Sequence, residues 1–231
     1  MIFLKTDLLI KITLVLIATT VITSCKSNIN STEDEDAIDS FTGTFAKLAK
    51  NGDRLENQDG SYSATGNEDD GTRWSCIEIL DSNKNTWEVK TNSITADALG
   101  ARNKDLKYIW YNSAATVPGT TQNTDCQYGN VCDIQKYANY LNANSLCGIT
   151  NWRVPTAKEL ESLVTPHHSP SIDRTYFPHT FNGAYWSIDT STKDGNKAVA
   201  VLFSQNGRLG VNSKTGASHA LRLVGQKSSE N

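Results

Sequence analysis

Four cysteines in the body of the chain restrict the folds open to it, because cross-links hold distant segments together. They are Cys76, Cys126, Cys132 and Cys147. An even number in an exported chain indicates two disulfide bonds, although the sequence alone does not choose among the three possible pairings. We expect a long-range Cys76–Cys147 bond and a short Cys126–Cys132 loop, because a helix over residues 133–143 would hold Cys132 and Cys147 about 16 Å or more apart. A metal site using Cys126, Cys132 and Cys147 is the alternative, but it lacks the close C-x2-C pairs of structural zinc sites.

A fifth cysteine, Cys25, ends an N-terminal segment that is typical of a bacterial lipoprotein signal. Lys5 and Lys11 precede an apolar run over residues 12–22, and Thr23-Ser24 lie directly before Cys25. The run is about half of the ~20 residues that a spanning helix needs, so an uncleaved membrane anchor is the less favoured alternative. The pattern predicts a signal peptide over residues 1–24 and a Cys25 that carries palmitate-like acyl chains. Two or more such chains give stable attachment to a lipid bilayer.

Composition divides the rest of the chain into a tether, a domain and a tail. Residues 25–40 are rich in Ser and Asn and acidic at Glu33-Asp34-Glu35-Asp36, which predicts a disordered tether. Residues 41–225 have the size of one domain, and residues 226–231 form a polar C-terminal tail. The formal net charge of −3, without a Lys/Arg cluster, argues against nucleic acid as a partner.

Two helices are predicted in the second half of the domain. The first should begin near Asp133 and precede the stop signal Gly148. Its apolar residues recur at helical spacing: Ile134, Tyr137, Ala138 and Leu141. The second should begin at a capping box formed by Thr156 and Glu159, and end before Pro166. Its buried face should comprise Leu160, Leu163 and Val164, with Pro155 packed against Leu160 across the cap.

Short apolar runs predict strands on both sides of these helices. Trp87–Lys90 should form a strand after a turn at residues 81–85, and Tyr108–Tyr111 should form a second. Further along, Val199, Val201 and Phe203 alternate with smaller residues, the turn Asn206-Gly207 follows, and Leu209 and Val211 return. Residues 218–224 should form a last strand with Leu221 and Leu223 on one face. Together the elements predict an α+β fold with two short helices packed on antiparallel strands.

The segment Leu146–Leu163 resembles the core motif of the Lcl C-terminal domain family. Other landmarks fit in the same order: Trp74-Ser-Cys76, Trp87–Lys90, Tyr108–Asn112, Cys132-Asp133, Pro170–Asp173, Tyr176–Pro178, Tyr185–Ser187 and Leu221–Val224. The resemblance covers residues 45–224, most of the chain. Asn85-Thr86 departs from it, because members often carry Thr-Gly-Leu at that turn.

The resemblance implies a binding domain. The family takes its name from a bacterial collagen-like surface adhesin whose C-terminal domain is associated with sulfated polysaccharides, although this chain has no Gly-X-Y collagen region. The string Arg153–Glu159 also resembles a stretch of formylglycine-generating enzymes, which have a C-type-lectin-like fold. That likeness implies a lectin-like α+β domain and transfers no catalytic residue. The calcium-binding triplets of true C-type lectins are absent.

Several candidate sites have simpler structural interpretations. His167, His168, Asp173 and His179 could form a metal or acid–base site, but a polar loop after a helix is the simpler reading. Ser218-His219 lacks a carboxylate partner, and the chain has no nucleophile elbow or phosphate-binding loop. We therefore expect no catalytic residue, metal or cofactor.

The residues of the family motifs are expected to be structural. The five tryptophans could stack on sugars, but Trp74, Trp87, Trp110, Trp152 and Trp186 should belong to the core. Arg153 and Arg222 should pair with Glu159, Asp173 or Glu88, because unpaired buried charges are costly. The expected structural set is Trp152, Arg153, Pro155, Thr156, Glu159, Asp173, Trp186 and Arg222.

The sequence thus favours a non-enzymatic, membrane-anchored lipoprotein of the bacterial cell envelope that binds a polysaccharide or a surface partner. Lys26-Ser27 after Cys25 lacks an aspartate retention signal, which favours the outer membrane. The alternatives are a formylglycine-generating-like or other modifying enzyme, and a structural assembly factor that binds envelope proteins. No ligand-binding residue is identified by the sequence.

Overall fold

Nine short strands, two α-helices and two single-turn 3-10 helices (Leu146–Gly148 and Phe203–Gln205) form the regular structure of the part of the chain that the computed structural model describes. This part comprises residues 45–63, 65–66, 71–81, 83–92, 100–110 and 133–228. The strands are β1 (Phe45–Leu48), β2 (Cys76–Ile79), β3 (Asn85–Glu88), β4 (Tyr108–Ile109), β5 (Ala184–Thr190), β6 (Lys197–Leu202), β7 (Arg208–Ser213), β8 (Ser218–His219) and β9 (Val224–Gln226). The helices are α1 (Ile134–Ala143) and α2 (Ala157–Glu161). The fold is α+β, as predicted.

The strands form three antiparallel sheets. The first has four strands in the order β1-β2-β3-β9, so the first and last described strands belong to one sheet. The second pairs β4 with β8, and the third has the order β5-β6-β7. The long-range pairing of β3 with β9 sets Trp87 opposite Val224 and draws the C-terminal segment into the centre of the fold.

Three predicted strands differ from the observed ones in their bounds. β3 begins at Asn85 and ends at Glu88, and β4 ends at Ile109, while Tyr111 lies outside the described residues. The single strand expected over residues 218–224 is instead divided into β8 and β9. The division arises because β8 pairs with β4 whereas β9 pairs with β3, and Leu221 and Leu223 lie fully buried between them.

Both helices begin where the sequence predicts. Asp133 caps α1, since its carboxylate accepts from the backbone N–H groups of Gln135 and Lys136, and the four apolar residues of the predicted stripe are buried. Thr156 and Glu159 form the predicted capping box at α2. The helices end at Ala143 and Glu161, well before Gly148 and Pro166, so neither of these two residues is the actual terminator.

The apolar side chains form two cores, and β6 contributes to both. Ala198 and Ala200 belong to one core, whereas Val201 belongs to the other, as expected for alternation along a strand covered on both faces. All five tryptophans are buried, which confirms their core role. Leu209 and Val211 on β7 pair with Val201 and Val199 but remain exposed, because β7 is an edge strand.

A disulfide bond joins Cys76 on β2 to Cys147 beyond α1, the long-range pairing expected from the sequence. Both cysteines are fully buried. The bond closes a loop with a sequence separation of 71 residues, for which loop entropy gives about 4 kcal/mol of stabilisation. Cys126 and Cys132 lie outside the described residues, as does Cys25. No helix in the described part of the chain has the length and apolar character needed to cross a membrane.

Candidate functional site

A cluster of buried charges lies where β3 approaches α1. The Glu88 side chain is fully buried, and its carboxylate lies 3.2 Å from Lys90 Nζ and accepts from the hydroxyl of Tyr137 and the backbone N–H of Leu223. Lys90 Nζ also donates to the Tyr137 oxygen at 2.9 Å and lies over the Tyr137 ring. Burial lowers the pKa of Lys90 to about 8, an effect that the Glu88 charge partly opposes. Burial, then Glu88, raises the pKa of Tyr137 well above its usual value.

Two buried arginines extend this cluster. Arg102 donates to the backbone carbonyls of Ser75 and Val89, and its Nε lies 4.0 Å from Glu88. Arg222 Nη1 donates to the Glu88 backbone carbonyl at 2.6 Å. The predicted association of Arg222 with Glu88 therefore exists, but it uses the main chain and not the carboxylate. Because these groups are closed to solvent and bonded to the protein, we interpret this cluster as structural.

Arg153 forms the predicted pair with Glu159 at the start of α2. Its guanidinium makes two hydrogen bonds to the carboxylate, at 2.9 and 2.6 Å. Arg153 and then the backbone N–H of Thr156 hold the pKa of Glu159 at about 2, although partial burial opposes this shift. Asp189 on β5 accepts from the backbone N–H of Ala157, which ties α2 to the third sheet. The motif therefore positions a helix.

A different arrangement surrounds His179, on a surface loop between α2 and β5. The ring is half-buried, and four cations lie close enough to lower its pKa after the larger effect of burial. They are Lys104, Arg222, Arg174 and Arg73. Arg174 is exposed, Arg73 and Lys104 are partly exposed, and Arg222 lies buried beneath the loop. We name His179 with Arg73, Lys104 and Arg174 the His179 face.

Packing holds the His179 face in place from several elements. The indole N–H of Trp74, the neighbour of Arg73, donates to the Tyr176 carbonyl at 2.8 Å. This bond fixes the segment that carries Arg73 against the loop that carries Arg174. Arg222 Nη2 donates to Thr180 Oγ1 at 2.9 Å, directly after His179. The loop is therefore anchored to the buried charge cluster through Arg222.

Partly exposed aromatic rings border the His179 face. Tyr62 packs edge-to-face on the His179 ring at a centroid distance of 4.8 Å. Phe45 packs on Tyr176 at 4.6 Å, and the charges of Asp173 and Asp59 raise the pKa of Tyr176, after burial. The surface thus carries cations at the His179 end and carboxylates beside Tyr176.

The other candidate histidines do not form a site within the described ranges. His167 and His168 are exposed, and no group of three or more metal-ligating side chains occurs among these residues. Asp173 accepts from the backbone N–H of Thr175 and pairs with neither arginine of the motif. His219 packs on Trp186 at 4.3 Å, and burial lowers its pKa.

Sequence reasoning did not single out Arg73, Lys104 or Arg174. They are separated by long stretches of chain, so no local run of positive charge marks them. Their charges act on one histidine because the fold brings separate segments into the same region. The cationic surface is therefore a product of topology and not of a motif.

The fold and its sites define a disulfide-linked α+β domain with a buried charged centre and, nearer the surface, the His179 face. The family model of the Lcl C-terminal domain matches residues 81–225, and the chain belongs to this family. The match begins after Trp74-Ser-Cys76 and therefore leaves out β2, although β2 belongs to the same sheet as β3 and β9. No curated protein and no solved structure matches the chain.

Proposed function

We propose that the chain is a cell-envelope lipoprotein whose folded domain binds a sulfated polysaccharide without catalysing a reaction. The observation that carries this proposal is that the positive charges of Lys104, Arg174 and Arg73 all act on His179, a half-buried residue beside the Tyr62 ring. The buried cations elsewhere are bonded inside the protein, whereas these three reach the surface. The family's association with an adhesin supports a binding role over a catalytic one.

Electrostatics favours a polyanion as the ligand of the His179 face. A flexible sulfated chain can place several anionic groups on neighbouring cations, and each contact displaces counterions, so affinity falls as salt rises. The bordering rings of Tyr62 and Tyr176 offer apolar area to the sugar. Asp105 partly offsets Lys104, at 2.7 Å, which leaves Arg73 and Arg174 as the principal contacts.

The anchor and the fold relationship are parts of the same proposal. Acylation of Cys25 would hold the domain at the outer membrane, with residues 25–40 as the tether. Intact-mass measurement and palmitate labelling test this, and an unprocessed N-terminus without acyl groups would contradict it.

The string Arg153–Glu159, together with two short helices on antiparallel sheets, supports a C-type-lectin-like arrangement. An experimental structure superposed on lectin domains tests that relationship.

The non-enzymatic part of the proposal has its own test. Cys76 and Cys147 are joined in a buried disulfide, so neither offers the thiolate that a formylglycine-generating-like enzyme would need. Free-thiol titration and metal analysis of the pure chain should find neither a reactive thiol nor a stoichiometric metal. A reactive cysteine or a bound metal would favour the enzyme alternative.

The binding test uses the full chain in detergent with dextran sulfate, and uncharged dextran as the ligand control. The double variant Arg73→Gln/Arg174→Gln should bind dextran sulfate about thirtyfold more weakly, because about 1 kcal/mol for each lost cation gives about 2 kcal/mol in all. The matched variant Lys158→Gln/Lys193→Gln removes the same charge from exposed positions on α2 and the β5–β6 turn. It should bind as the wild type does. Equal loss in both variants, or no binding at low salt, would contradict the proposal.

A further inference from the structure

The outer edges of the first and third sheets differ in how the described residues cover them. On the outer side of β1, the Gln58 side chain bonds to both the N–H and the carbonyl of Lys47. β9 is bonded to Arg153, and on the outer side of β5 the N–H of Ile188 donates to the Pro155 carbonyl. β7 is the exception, because β6 is its single neighbour in the sheet and no described segment bonds to its outer side.

The ladder between β6 and β7 determines which main-chain groups of β7 point outwards. The N–H of Lys214 donates to the Asn196 carbonyl beyond the end of the ladder. Bonding alternates along an antiparallel pair, so Gly210 and Asn212 exchange hydrogen bonds with β6. The N–H and C=O groups of the intervening residues therefore point away from the sheet: Leu209, Val211 and Ser213.

Two of these outward residues also carry exposed apolar side chains. Leu209 is 47% exposed and Val211 is 52% exposed. They lie opposite Val201 and Val199, so they share the sheet face that packs into the second core. A strand added beside β7 could place alternate apolar side chains next to Leu209 and Val211 and so extend this core.

Positive charge lies at both ends of β7. Arg208 is exposed at its first residue, Lys197 of β6 lies opposite Ser213 at its last, and Lys214 follows directly. Asp194 offsets Lys197 at 3.5 Å, but no Asp or Glu occurs in the sequence over residues 195–229. The charge that complements this edge is therefore a carboxylate near each end of an added strand.

We propose that the outer edge of β7 binds an extended segment of a partner protein, which adds to the third sheet as its fourth strand. The segment has alternating apolar and polar residues between two acidic ends. Main-chain hydrogen bonds to the outward groups supply affinity, whereas the apolar side chains and the carboxylates supply specificity. This inference goes beyond the proposed function, since it concerns different residues and a protein ligand instead of a polysaccharide.

Amide hydrogen exchange of the full-length wild type tests whether the edge is available. The outward amides of Leu209, Val211 and Ser213 should exchange fast, whereas those of Gly210 and Asn212 should exchange slowly. If the outward amides were already protected at every protein concentration, the chain itself would cover the edge and the inference would be overturned. Protection that grew with protein concentration would indicate a second copy of the chain as the occupant, and would also overturn it.

The binding probe is the synthetic peptide Asp-Thr-Val-Thr-Val-Thr-Asp, acetylated and amidated at its ends. In an NMR titration it should shift the β7 resonances and slow the exchange of the outward amides. The matched peptide with Lys at both ends should bind about tenfold more weakly, because its charges face those of Arg208 and Lys214. No binding of the acidic peptide, or equal binding of the two, would overturn the inference.

Variants separate the contributions of side chains and main chain. Leu209→Thr/Val211→Thr keeps β-branched residues and should bind the acidic peptide about fivefold more weakly. Val211→Pro removes one outward N–H and leaves the bonds to β6 in place, as proline on an edge strand can, and should weaken binding by a similar factor. The control is Ile188→Thr, because Ile188 is 45% exposed on β5, whose outer side is covered.

Ile188→Thr should bind the peptide as the wild type does. An equal loss of peptide affinity in Ile188→Thr and in the β7 variants would overturn the inference. Failure of the proposed polysaccharide binding is a separate result, because it would appear as no retention of dextran sulfate while the peptide still bound.

Discussion

The buried charge cluster and the His179 face contain the same kinds of residue in two different environments. In the buried cluster, Glu88 lies between Lys90 and Arg102 and is bonded to Tyr137. At the His179 face, burial and then nearby cations lower the pKa of a half-buried histidine. Arg222 connects the two, because it bonds to the Glu88 carbonyl and to Thr180. The comparison teaches that a charge closed to solvent must be balanced by the protein itself, whereas a charge at the surface is balanced largely by water.

The difference follows from the cost of burying a charge. An ion removed from water loses several kcal/mol of solvation, which it recovers only from close partners with good geometry. The buried cluster meets this condition through side chains and main-chain carbonyls. The partly exposed cations keep much of their hydration, so they need no buried carboxylate to be stable in the fold.

The largest effect is expected from Glu88→Gln, which removes the negative charge that lies between Lys90 and Arg102 in the buried cluster. The substitution leaves Lys90 buried beside a neutral amide, and should lower the free energy of unfolding by about 3–5 kcal/mol. Chemical denaturation monitored by tryptophan fluorescence measures the loss. Glu56→Gln, at an exposed position, serves as the control and should change stability by less than about 0.5 kcal/mol. Equal stability of the two variants would show that the buried charges do not depend on Glu88.

The two regions also differ in how far sequence could predict them. The capping box and the Arg153–Glu159 pair were predictable, because their partners lie within one helical turn or just before it. The apolar stripe of α1 was equally predictable, because its residues lie close together in the sequence. In contrast, Glu88 meets Tyr137 across a separation of 49 residues, and only tertiary packing sets that contact. Burial of Glu88 is also invisible to local patterns, since acidic residues in strands are usually exposed.

The remaining differences have similar causes. A single apolar run over residues 218–224 looks like one strand, but the choice of partners, β4 or β3, divides it. The disulfide Cys76–Cys147 was predictable in part, because the helix between Cys132 and Cys147 disfavoured the competing bond. The His179 face was not, since its cations come from three separate segments. Long-range topology therefore accounts for what sequence reasoning missed.

A smaller effect is expected at the Arg153–Glu159 pair, which is local and partly exposed. Glu159→Ala removes the reciprocal cap bond and the ion pair, and should cost about 1 kcal/mol at pH 7. The folded pKa of about 2 lies below the ordinary value of 4.5, so this contribution is present above pH 4.5 and is lost as the pH falls towards 2. Denaturation at pH 7 and pH 3 measures the change. Glu161→Ala, exposed on the same helix, should have little effect at either pH, and a pH-independent loss in Glu159→Ala would contradict the electrostatic interpretation.

The smallest effect is expected from Asp59→Asn, which removes a negative charge from the protein surface. Asp59 is exposed, and its charge acts on Tyr176, beside the His179 face. Because an exposed charge makes little difference to the fold, stability should change by less than about 0.5 kcal/mol. Dextran sulfate affinity should instead rise about twofold, since one repulsive charge is lost, and the rise should fade at high salt. Glu161→Gln removes a like charge from α2 and should leave affinity unchanged. If both variants gained the same affinity for dextran sulfate, the net charge of the protein and not the local charges of the His179 face would govern binding. The functional contrast between the His179 face and the buried charge cluster would then be wrong.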